Sequence, residues 1–313
     1  RIFVDDDVDF KSLNELIEYY KKQADGLAHV LTKPLVRKDG KELTRGAIAD
    51  FEIEPRDLIK GPILGSGQFG EVYMGTYKGK QVAIKELKNL TSTAQDEFLA
   101  EASVMTKLKD TNLVQLIGVV TLHGTLRLVT EYMEKGNLLD YLRSRGRSVI
   151  TQKMQLGFAR NICSGMAFLE KRGVVHRDLA ARNVLVSGDD IAKVADFGLA
   201  RQSSDGAVDL GKLPIKWTAP EVLRQKVSTS KSDVWSFGVT MWEIYSFGRS
   251  PYPRMSQKEV VDKVAEGYRM EKPENCPEVM YKIMMECWSM AALERPTFNR
   301  LKKDLKSMKA KKQ

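Results

Sequence analysis

Residues 174–183 read Val-Val-His-Arg-Asp-Leu-Ala-Ala-Arg-Asn, and the interpretation of the whole chain depends on them. The stretch is short and rich in side chains that titrate or form hydrogen bonds. It follows a helical pattern over residues 151–172 and begins just after Gly173, which marks the end of that helix. The apolar residues on one face of the helix are Phe158, Ile162, Met166 and Leu169. The sequence therefore predicts a polar loop that follows a packed helix.

The spacing of two side chains in this loop suits one kind of chemistry. Asn183 follows Asp178 at a five-residue step. A carboxylate at the first position could accept a hydroxyl proton, while an amide at the second, with another carboxylate, could hold Mg²⁺ near phosphate groups. Alone, the pattern also fits a polar turn between two packed elements. The choice depends on what the rest of the chain supplies.

Composition limits the class of protein. The chain has 313 residues, 42% of them hydrophobic, which allows one large two-lobed domain or two ordinary ones. The formal net charge of +9 could suggest a nucleic-acid partner, but no nucleic-acid module is present, so we expect none. Part of the charge belongs to a terminal group that we interpret as a solvated helix end: Lys302, Lys303, Lys306, Lys309, Lys311 and Lys312.

Cysteine usage and hydropathy indicate the compartment. The three cysteines, Cys163, Cys276 and Cys287, form no C-x-x-C pair, so neither a disulfide framework nor a zinc site is expected. A reducing cytosol fits this usage. No apolar run approaches the roughly 18 residues of a membrane span, and no signal peptide is seen. We expect a cytoplasmic protein without direct membrane insertion, and a fragment, because the sequence lacks an initiating Met.

Residues 1–36 precede the polar region and contain a helical pattern. An acidic turn at residues 5–7 is followed by a helix and then by an Asp-Gly-Leu turn at residues 25–27. The apolar residues that share one face of the helix are Leu13, Leu16, Ile17 and Tyr20. This passage resembles the C-terminal part of a Src homology 2 (SH2) domain, whose last short strand would end near Pro34. The strand with the phosphate-binding Arg is missing, so we expect no phosphotyrosine binding, and residues 37–50 are predicted to be a linker.

Residues 65–70, Gly-Ser-Gly-Gln-Phe-Gly, match G-x-G-x-x-G, which both dinucleotide folds and protein kinases use. The residues that follow distinguish the two. Residues 71–76 alternate in the manner of a strand, and residues 81–85 form a second strand after a Lys-Gly-Lys turn. A hairpin therefore follows the glycines where a dinucleotide fold needs a helix. The kinase interpretation is favoured.

In that interpretation the glycine-rich segment would cover a nucleotide. Gly65, Gly67 and Gly70 would let backbone amides approach the phosphates without an intervening Cβ. Val72 and Ala83 would cover the adenine ring.

Lys85 closes the strand Val-Ala-Ile-Lys and would need a partner if it were buried. A surface lysine would need none. Glu101 lies sixteen residues later, within a predicted helix, and would form the Lys–Glu pair that orients the α- and β-phosphates of ATP. Glu97 is a competing candidate about one turn earlier, but it is less well placed among the apolar residues of the helix, and we prefer Glu101.

Residues 113–120 and 126–129 are predicted strands, and residues 130–133 would form the hinge between two lobes. Backbone groups near Glu131 and Met133 would bind the adenine edge, and Thr130 is a small residue at the gatekeeper position.

Three arginines follow on the next helix, Arg143, Arg145 and Arg147. They are either a solvated helix end or a docking surface for an acidic partner.

Several further motifs follow the loop in the order expected of a kinase. Asp196, in Asp-Phe-Gly, would bind Mg²⁺, and Asp233 would steady the backbone of the loop from a hydrophobic helix. Glu221, in Ala-Pro-Glu, has a plausible distant partner in Arg295. Four residues fall where kinases stack an apolar spine: Met105, Leu116, His176 and Phe197.

Over residues 51–310 the chain resembles cytoplasmic tyrosine kinases. Kinases that act on serine and threonine usually place Lys two residues after the catalytic Asp, whereas this loop has Ala180 there and Arg182 two residues further on. Pro214 and Trp217 agree with this, because Pro214 would support a phenol ring. The resemblance implies an α+β, two-lobed fold with a β-rich N-lobe over about residues 51–133 and a helical C-lobe over about 134–310.

Within that group the sequence most resembles the C-terminal Src kinase family. The segments that carry the resemblance are residues 94–95, 98–106, 141–149, 211–221 and 246–254. The resemblance implies that the substrate is the inhibitory tail tyrosine of Src-family kinases, with the arginine cluster as docking surface. It also implies that membrane adaptor proteins bind through the missing part of the SH2 domain and recruit the protein to the membrane. No tyrosine lies between Gly198 and Trp217, so no activation-loop phosphotyrosine can pair with Arg177.

The predicted reaction is transfer of the γ-phosphoryl group of ATP to a protein tyrosine. Asp178 would be the base, Asn183 and Asp196 would hold Mg²⁺ or Mn²⁺, and Arg182 would neutralise charge near the transferred group. Lys85 would hold phosphates, braced by Glu101, and Leu185 would contact the nucleotide. Two alternatives stay open, a pseudokinase that acts as a scaffold and a tyrosine kinase of broader specificity.

Overall fold

The computed structural model describes residues 13–24, 30, 48–67, 70–87, 91–121, 126–202 and 213–308. The chain divides into two units, residues 1–46 and 47–313. In the first, helix α1 (Leu13–Lys22) buries Leu16 and Tyr20, which lie four residues apart on one face. The turns predicted at residues 5–7 and 25–27, the strand ending near Pro34, and almost all of the linker lie outside the described residues. The SH2 assignment therefore stays a prediction.

The second unit begins with an antiparallel five-stranded sheet. The strand order is β1-β2-β3-β5-β4, so β4 and β5 form a hairpin on the far side of β3. The strands are β1 (Leu58–Gly67), β2 (Gly70–Tyr77), β3 (Lys80–Leu87), β4 (Leu116–Val120) and β5 (Arg127–Glu131). Helix α2 (Ser92–Thr106) connects β3 to β4.

Alternation along β3 gives the sheet two different faces. Val82 and Ile84 are fully buried in a small apolar cluster. Because successive side chains point to opposite faces, Ala83 and Lys85 lie on the other face. The other buried members of the cluster are Ile53, Leu58, Val120 and Val129.

The strand predicted over residues 113–120 is shorter than expected. It begins at Leu116, while β5 extends past the predicted end to Glu131. Leu113 forms a bridge with Val194, and the amide of Val114 donates to the carbonyl of Val194 at 2.9 Å. These residues therefore pair with a strand of the helical lobe instead of with β5.

The rest of the unit is mainly helical and contains most of the core. Helix α6 (Ser230–Tyr245) is its centre, since every residue from Ser232 to Tyr245 is buried. The helices are α3 (Leu138–Val149), α4 (Gln152–Lys171), α5 (Pro220–Gln225), α6 (Ser230–Tyr245), α7 (Gln257–Ala265), α8 (Glu278–Cys287) and α9 (Phe298–Ser307). The expected α+β fold with a β-rich and a helical lobe is confirmed.

Two small sheets lie beside the polar loop. Strand β6 (Val174–Val175) pairs with β9 (Arg201–Gln202), and β7 (Val184–Val186) pairs with β8 (Ala192–Val194). A 3-10 turn, Ala181–Asn183, joins the loop to β7. In the described part of the chain, no helix is both long and apolar enough to cross a membrane.

Candidate active site

The loop of residues 174–183 is hydrogen-bonded to helix α6 through Asp233. One carboxylate oxygen of Asp233 accepts the amide of His176 at 2.8 Å, and the other accepts the amide of Arg177 at 3.0 Å. Arg177 has a positive φ of 70°, which an L-residue rarely adopts. The two hydrogen bonds stabilise this backbone conformation, as expected for Asp233 from the sequence.

Asp178 lies between two donors in the same loop. Arg182 Nη2 contacts its Oδ1, and Asn183 Nδ2 donates to its Oδ2 at 2.7 Å. Burial raises the pKa of Asp178, and the charge of Asp196 adds to this. The charge of Arg182 and the hydrogen bond from Asn183 lower it, and the net shift is upward. A raised pKa makes the Asp178 carboxylate a better proton acceptor.

His176 is fully buried and connects the loop to the Asp-Phe-Gly segment. Its Nε2 lies 3.0 Å from the carbonyl of Ala195, and its Nδ1 accepts the amide of Asp178 at 3.2 Å. These contacts fit a neutral ring with the proton on Nε2. The ring meets that of Phe197 edge to face, with centroids 5.4 Å apart. Met105 and Leu116 belong to the same core cluster as Phe197.

The cation on β3 meets a carboxylate on α2. Lys85 Nζ lies 2.8 Å from Glu101 Oε2 and 3.0 Å from its Oε1. Burial lowers the pKa of Lys85, but the charges of Glu101 and Asp196 outweigh that effect and raise it above its usual value. Lys85 therefore stays charged next to Asp196. The carboxylate against Lys85 is that of Glu101, one turn beyond Glu97.

Asn183 and Asp196 are brought together by the pairing of β7 with β8. The register places Val184 opposite Val194, and the amide of Ala195 donates to the carbonyl of Asn183 at 2.8 Å. The Asn183 side-chain nitrogen is used by Asp178, which leaves its oxygen for a ligand.

The side-chain oxygens of Asn183 and Asp196, beside the predicted phosphate site, would fit Mg²⁺, which takes one or two carboxylates together with phosphate oxygens. No group of three or more His, Cys, Asp or Glu side chains suited to a metal occurs among the residues described. A Mg²⁺ site of this kind does not need such a group of three, because phosphate oxygens supply further ligands.

The glycine-rich hairpin of β1 and β2 and the sheet face that carries Lys85 border the same region of the site. A Cβ on Gly70 would lie 1.9 Å from the carbonyl oxygen of Glu86, so this turn requires glycine. Gly67 pairs with Gly70 across the hairpin, and a Cβ on Gly65 would have no neighbour within 4 Å. Gln68 and Phe69 lie outside the described residues.

The residues proposed to cover adenine share one face of the sheet. Val72 is directly opposite Lys85, and Thr130 is directly opposite Ala83. Residues opposite each other in antiparallel strands lie on the same face. The four side chains therefore line one surface, with Lys85 at its inner end.

The hinge has a polar and an apolar side. Glu131 accepts the amide of Gln115 at 2.9 Å through Oε1 and lies 2.7 Å from Lys193 Nζ through Oε2. Met133 is buried with Val114 and Ala195, and Leu185 packs against this cluster. Sequence reasoning predicted Glu131 only as a backbone contact and missed its side-chain contacts.

The segment with Pro214 and Trp217 lies on helix α6. The Pro214 carbonyl accepts the amide of Trp217 at 2.9 Å, and the Trp217 carbonyl accepts the hydroxyl of Ser236 at 2.7 Å. The indole Nε1 of Trp217 donates to Glu243 Oε2 at 2.9 Å. The Arg182 guanidinium carbon lies 4.7 Å from the centre of a Trp217 ring. The loop and the segment are therefore in contact.

Sequence reasoning missed Ser236, Thr240 and Glu243. With Asp233 they occur at i, i+3, i+7 and i+10, so they share one face of α6. Glu243 is 1% exposed and also accepts the amide of Ala181 at 2.9 Å. A single carboxylate in the apolar run of residues 234–245 was the available signal, because a buried charge requires partners.

The arginine cluster is partly engaged in contacts within the protein. Arg143 Nε donates to the carbonyl of Gly248 at 2.8 Å, and Arg147 Nη2 lies 2.6 Å from Glu274. Arg145 is exposed. Helix α3 has a break within the cluster, where Gly146 has φ 54° and ψ −158°. Both interpretations of the cluster stay open.

Glu221 and Arg295 form the long-range ion pair expected from the sequence. The two terminal nitrogens of the Arg295 guanidinium donate to the Glu221 carboxylate at 2.7 and 2.8 Å, and the Arg295 side chain is fully buried. The pair joins α5 to the segment before α9. Residues 203–212 lie outside the described residues.

The model of one protein family, protein tyrosine and serine/threonine kinases, matches residues 58–305. The chain belongs to this kinase family. Members of this kinase family use ATP and a divalent cation.

Three relatives of this kinase are tyrosine-protein kinases by name. Tyrosine-protein kinase csk-1 of Caenorhabditis elegans is 44% identical in an alignment that covers 93% of this chain and 58% of the relative. The megakaryocyte-associated tyrosine-protein kinase of Rattus norvegicus is 44% identical over 95% of this chain and 63% of its own length. The human tyrosine-protein kinase ABL2 is 45% identical over 95% of this chain and 26% of its own length.

These relatives confirm the expectation of a tyrosine kinase domain similar to C-terminal Src kinase. The kinase chain spans about 60% of the length of the first two.

Proposed function

We propose that this kinase domain transfers the γ-phosphoryl group of ATP to a tyrosine of a protein substrate. The observation that carries the proposal is the position of Asp178, which is held by Asn183 on one side and by Arg182 on the other, with Trp217 next to Arg182. In this proposal Asp178 would act as a proton acceptor between the proposed metal ligands and the segment proposed to position the peptide.

The nucleotide would lie between the sheet and the hinge. Two backbone groups of the hinge already form hydrogen bonds within the protein. The amide of Glu131 donates to the carbonyl of Gln115, and the carbonyl of Met133 accepts the amide of Gly136. Adenine contacts would therefore fall to the carbonyl of Glu131 and the amide of Met133. Val72, Ala83, Thr130 and Leu185 would enclose the ring. The glycines at 65, 67 and 70 and Lys85 would hold the phosphates, with Glu101 keeping Lys85 in place.

Asn183 and Asp196 would hold the metal, which we propose is Mg²⁺. A bound Mg²⁺ neutralises charge on the phosphates and orients them. Asp178 would accept the proton of the tyrosine hydroxyl as the phenolic oxygen attacks the γ-phosphorus and the bond to the β–γ bridging oxygen breaks. Arg182 would neutralise charge on the phosphoryl group in transit. Most of the rate enhancement would come from positioning and electrostatics.

The test is an assay of the purified protein with Mg²⁺-ATP and matched peptides that carry tyrosine, serine or threonine. We expect phosphotyrosine alone. Asp178→Asn should lower kcat by roughly 10²- to 10⁴-fold, the usual contribution of a general base. Asp189→Asn is the control, because Asp189 is an exposed acidic residue of the same lobe. An inactive wild type that still binds nucleotide would support the pseudokinase alternative instead.

We further propose that the whole protein is cytoplasmic, is recruited to membranes by adaptor proteins, and acts on the tail tyrosine of Src-family kinases. The similarity to csk-1 supports this substrate class, and Arg143, Arg145 and Arg147 would contact an acidic surface of the folded substrate. Changing the three to Ala should lower kcat/KM for a folded Src-type kinase by about tenfold or more and leave a short tail peptide unaffected. Equal losses on both substrates, or none, would favour the broader-specificity alternative.

A further inference from the structure

Glu243 is a buried carboxylate at the junction of two segments that the proposed reaction needs. A single oxygen, Oε2, accepts the amide of Ala181 in the catalytic loop and the indole Nε1 of Trp217, both at 2.9 Å. Burial raises the pKa of Glu243 to about 7, against the lowering effects of Trp217, Ala181 and the nearby charges of Arg182 and Arg143. An oxygen with two donors can accept both hydrogen bonds whether or not the other oxygen carries a proton.

Trp217 is held at two points, both on helix α6. Its carbonyl accepts the Ser236 hydroxyl, and its indole donates to Glu243, seven residues or two helical turns further along. The ring fixed in this way supports the Arg182 guanidinium by a cation–π contact at 4.7 Å. Arg182 in turn contacts the Asp178 carboxylate. A continuous set of contacts therefore leads from Glu243 to the proposed base.

We infer that Glu243 is a positioning residue for the tyrosine substrate, because it sets the orientation of Trp217 and thereby of Arg182 beside Asp178. This inference rests on the proposed tyrosine kinase function. It separates two halves of the site: the Glu243 carboxylate accepts from Ala181 and Trp217, whereas Lys85 pairs with Glu101. Loss of the Glu243 oxygen should therefore impair the use of the tyrosine substrate more than the binding of the nucleotide.

The experiment compares Glu243→Ala with Glu243→Gln in the full chain, using steady-state kinetics and the Kd for Mg²⁺-ATP. Glu243→Ala removes the shared oxygen, so we expect KM for a tyrosine peptide to rise at least tenfold, with a fall in kcat, while the Kd for nucleotide changes less than twofold. Glu243→Gln keeps an acceptor oxygen and should stay within about threefold of wild type.

Two tryptophan variants make the test independent of whether Glu243→Ala folds. Trp217→Phe removes the indole N–H and should reproduce the rise in KM, whereas Trp242→Phe removes a similar donor that bonds the Glu271 carbonyl and should not. The double variant with Glu243→Ala and Trp217→Phe should raise the peptide KM little more than either single variant does.

The inference is overturned if wild type phosphorylates tyrosine and Glu243→Ala lowers peptide and nucleotide parameters in parallel, or changes neither. It is also overturned if Trp217→Phe leaves the peptide KM unchanged. If wild type phosphorylates no tyrosine, it is the proposed function that has failed.

Discussion

The side-chain nitrogen of Asn183 lies 2.7 Å from a carboxylate oxygen of Asp178 and 2.7 Å from its carbonyl oxygen. One end of the amide thus orients the proposed base, and the other end faces the proposed metal position. Asn183→Ala should remove both functions at once. We expect kcat to fall by roughly 10²-fold or more, and the Mg²⁺ concentration for half-maximal activity to rise.

The measurement is a Mg²⁺ titration of the kinase rate at saturating ATP. Asn299→Ala is the control, since Asn299 is an exposed asparagine on α9. A loss of rate without any change in the Mg²⁺ dependence would contradict the assignment of Asn183 as a ligand.

Glu101→Gln tests the ion pair between β3 and α2. The change leaves Lys85 in a largely buried position without its nearest counter-charge. We expect kcat/KM for ATP to fall by roughly 10- to 100-fold, because Lys85 would be less well placed against the phosphates. Glu97→Gln, one turn earlier, is the matched comparison. If the Glu97 variant loses as much activity as the Glu101 variant, the assignment of Glu101 as the functional partner of Lys85 is wrong.

Glu243 should make the stability of the protein depend on pH. Its pKa is about 7 when folded and near 4.5 in a solvated chain. Between these values the folded state binds more protons than the unfolded state, so the free energy of unfolding falls as pH rises. The total effect is at most roughly 3 kcal/mol.

Chemical denaturation of wild type and Glu243→Gln between pH 5 and pH 8 measures this effect. Wild type should lose stability relative to the variant as pH rises, since glutamine does not titrate. Other buried carboxylates titrate in both proteins and cancel in the difference. A difference that stays constant with pH would refute the prediction.

Glu221→Ala should be strongly destabilising. It removes the counter-charge of the fully buried Arg295, and breaking such a pair costs about 3–5 kcal/mol. Glu286→Ala removes a partner of Arg300, whose side chain is 60% exposed, and should cost about 1 kcal/mol or less. Urea unfolding measures the free energy of unfolding of both variants. Similar losses of stability in the two would contradict the prediction that the buried pair matters more.

Motifs with fixed spacing made much of the site predictable. Asp178 and Asn183 lie five residues apart in one loop, and that loop itself holds their side chains together. The strand at residues 113–115 could not be placed correctly, because Leu113 and Val114 pair with Val194, about eighty residues away. The sequence suggested only a solvated helix end or a docking surface for Arg143, yet its Nε donates to the carbonyl of Gly248, 105 residues later. Contacts of this range depend on packing and leave no local pattern.

Helix α6 contacts the catalytic loop and the substrate segment through one polar face. Asp233 holds two loop amides, and Glu243 holds a third together with the Trp217 indole. The helix is buried along its length, so it cannot shift without opening the core. The Lys85–Glu101 contact joins strand β3 to helix α2 through two side chains. A displacement of helix α2 would therefore break the Lys85–Glu101 pair and leave the hydrogen bonds of Asp233 and Glu243 to the catalytic loop in place.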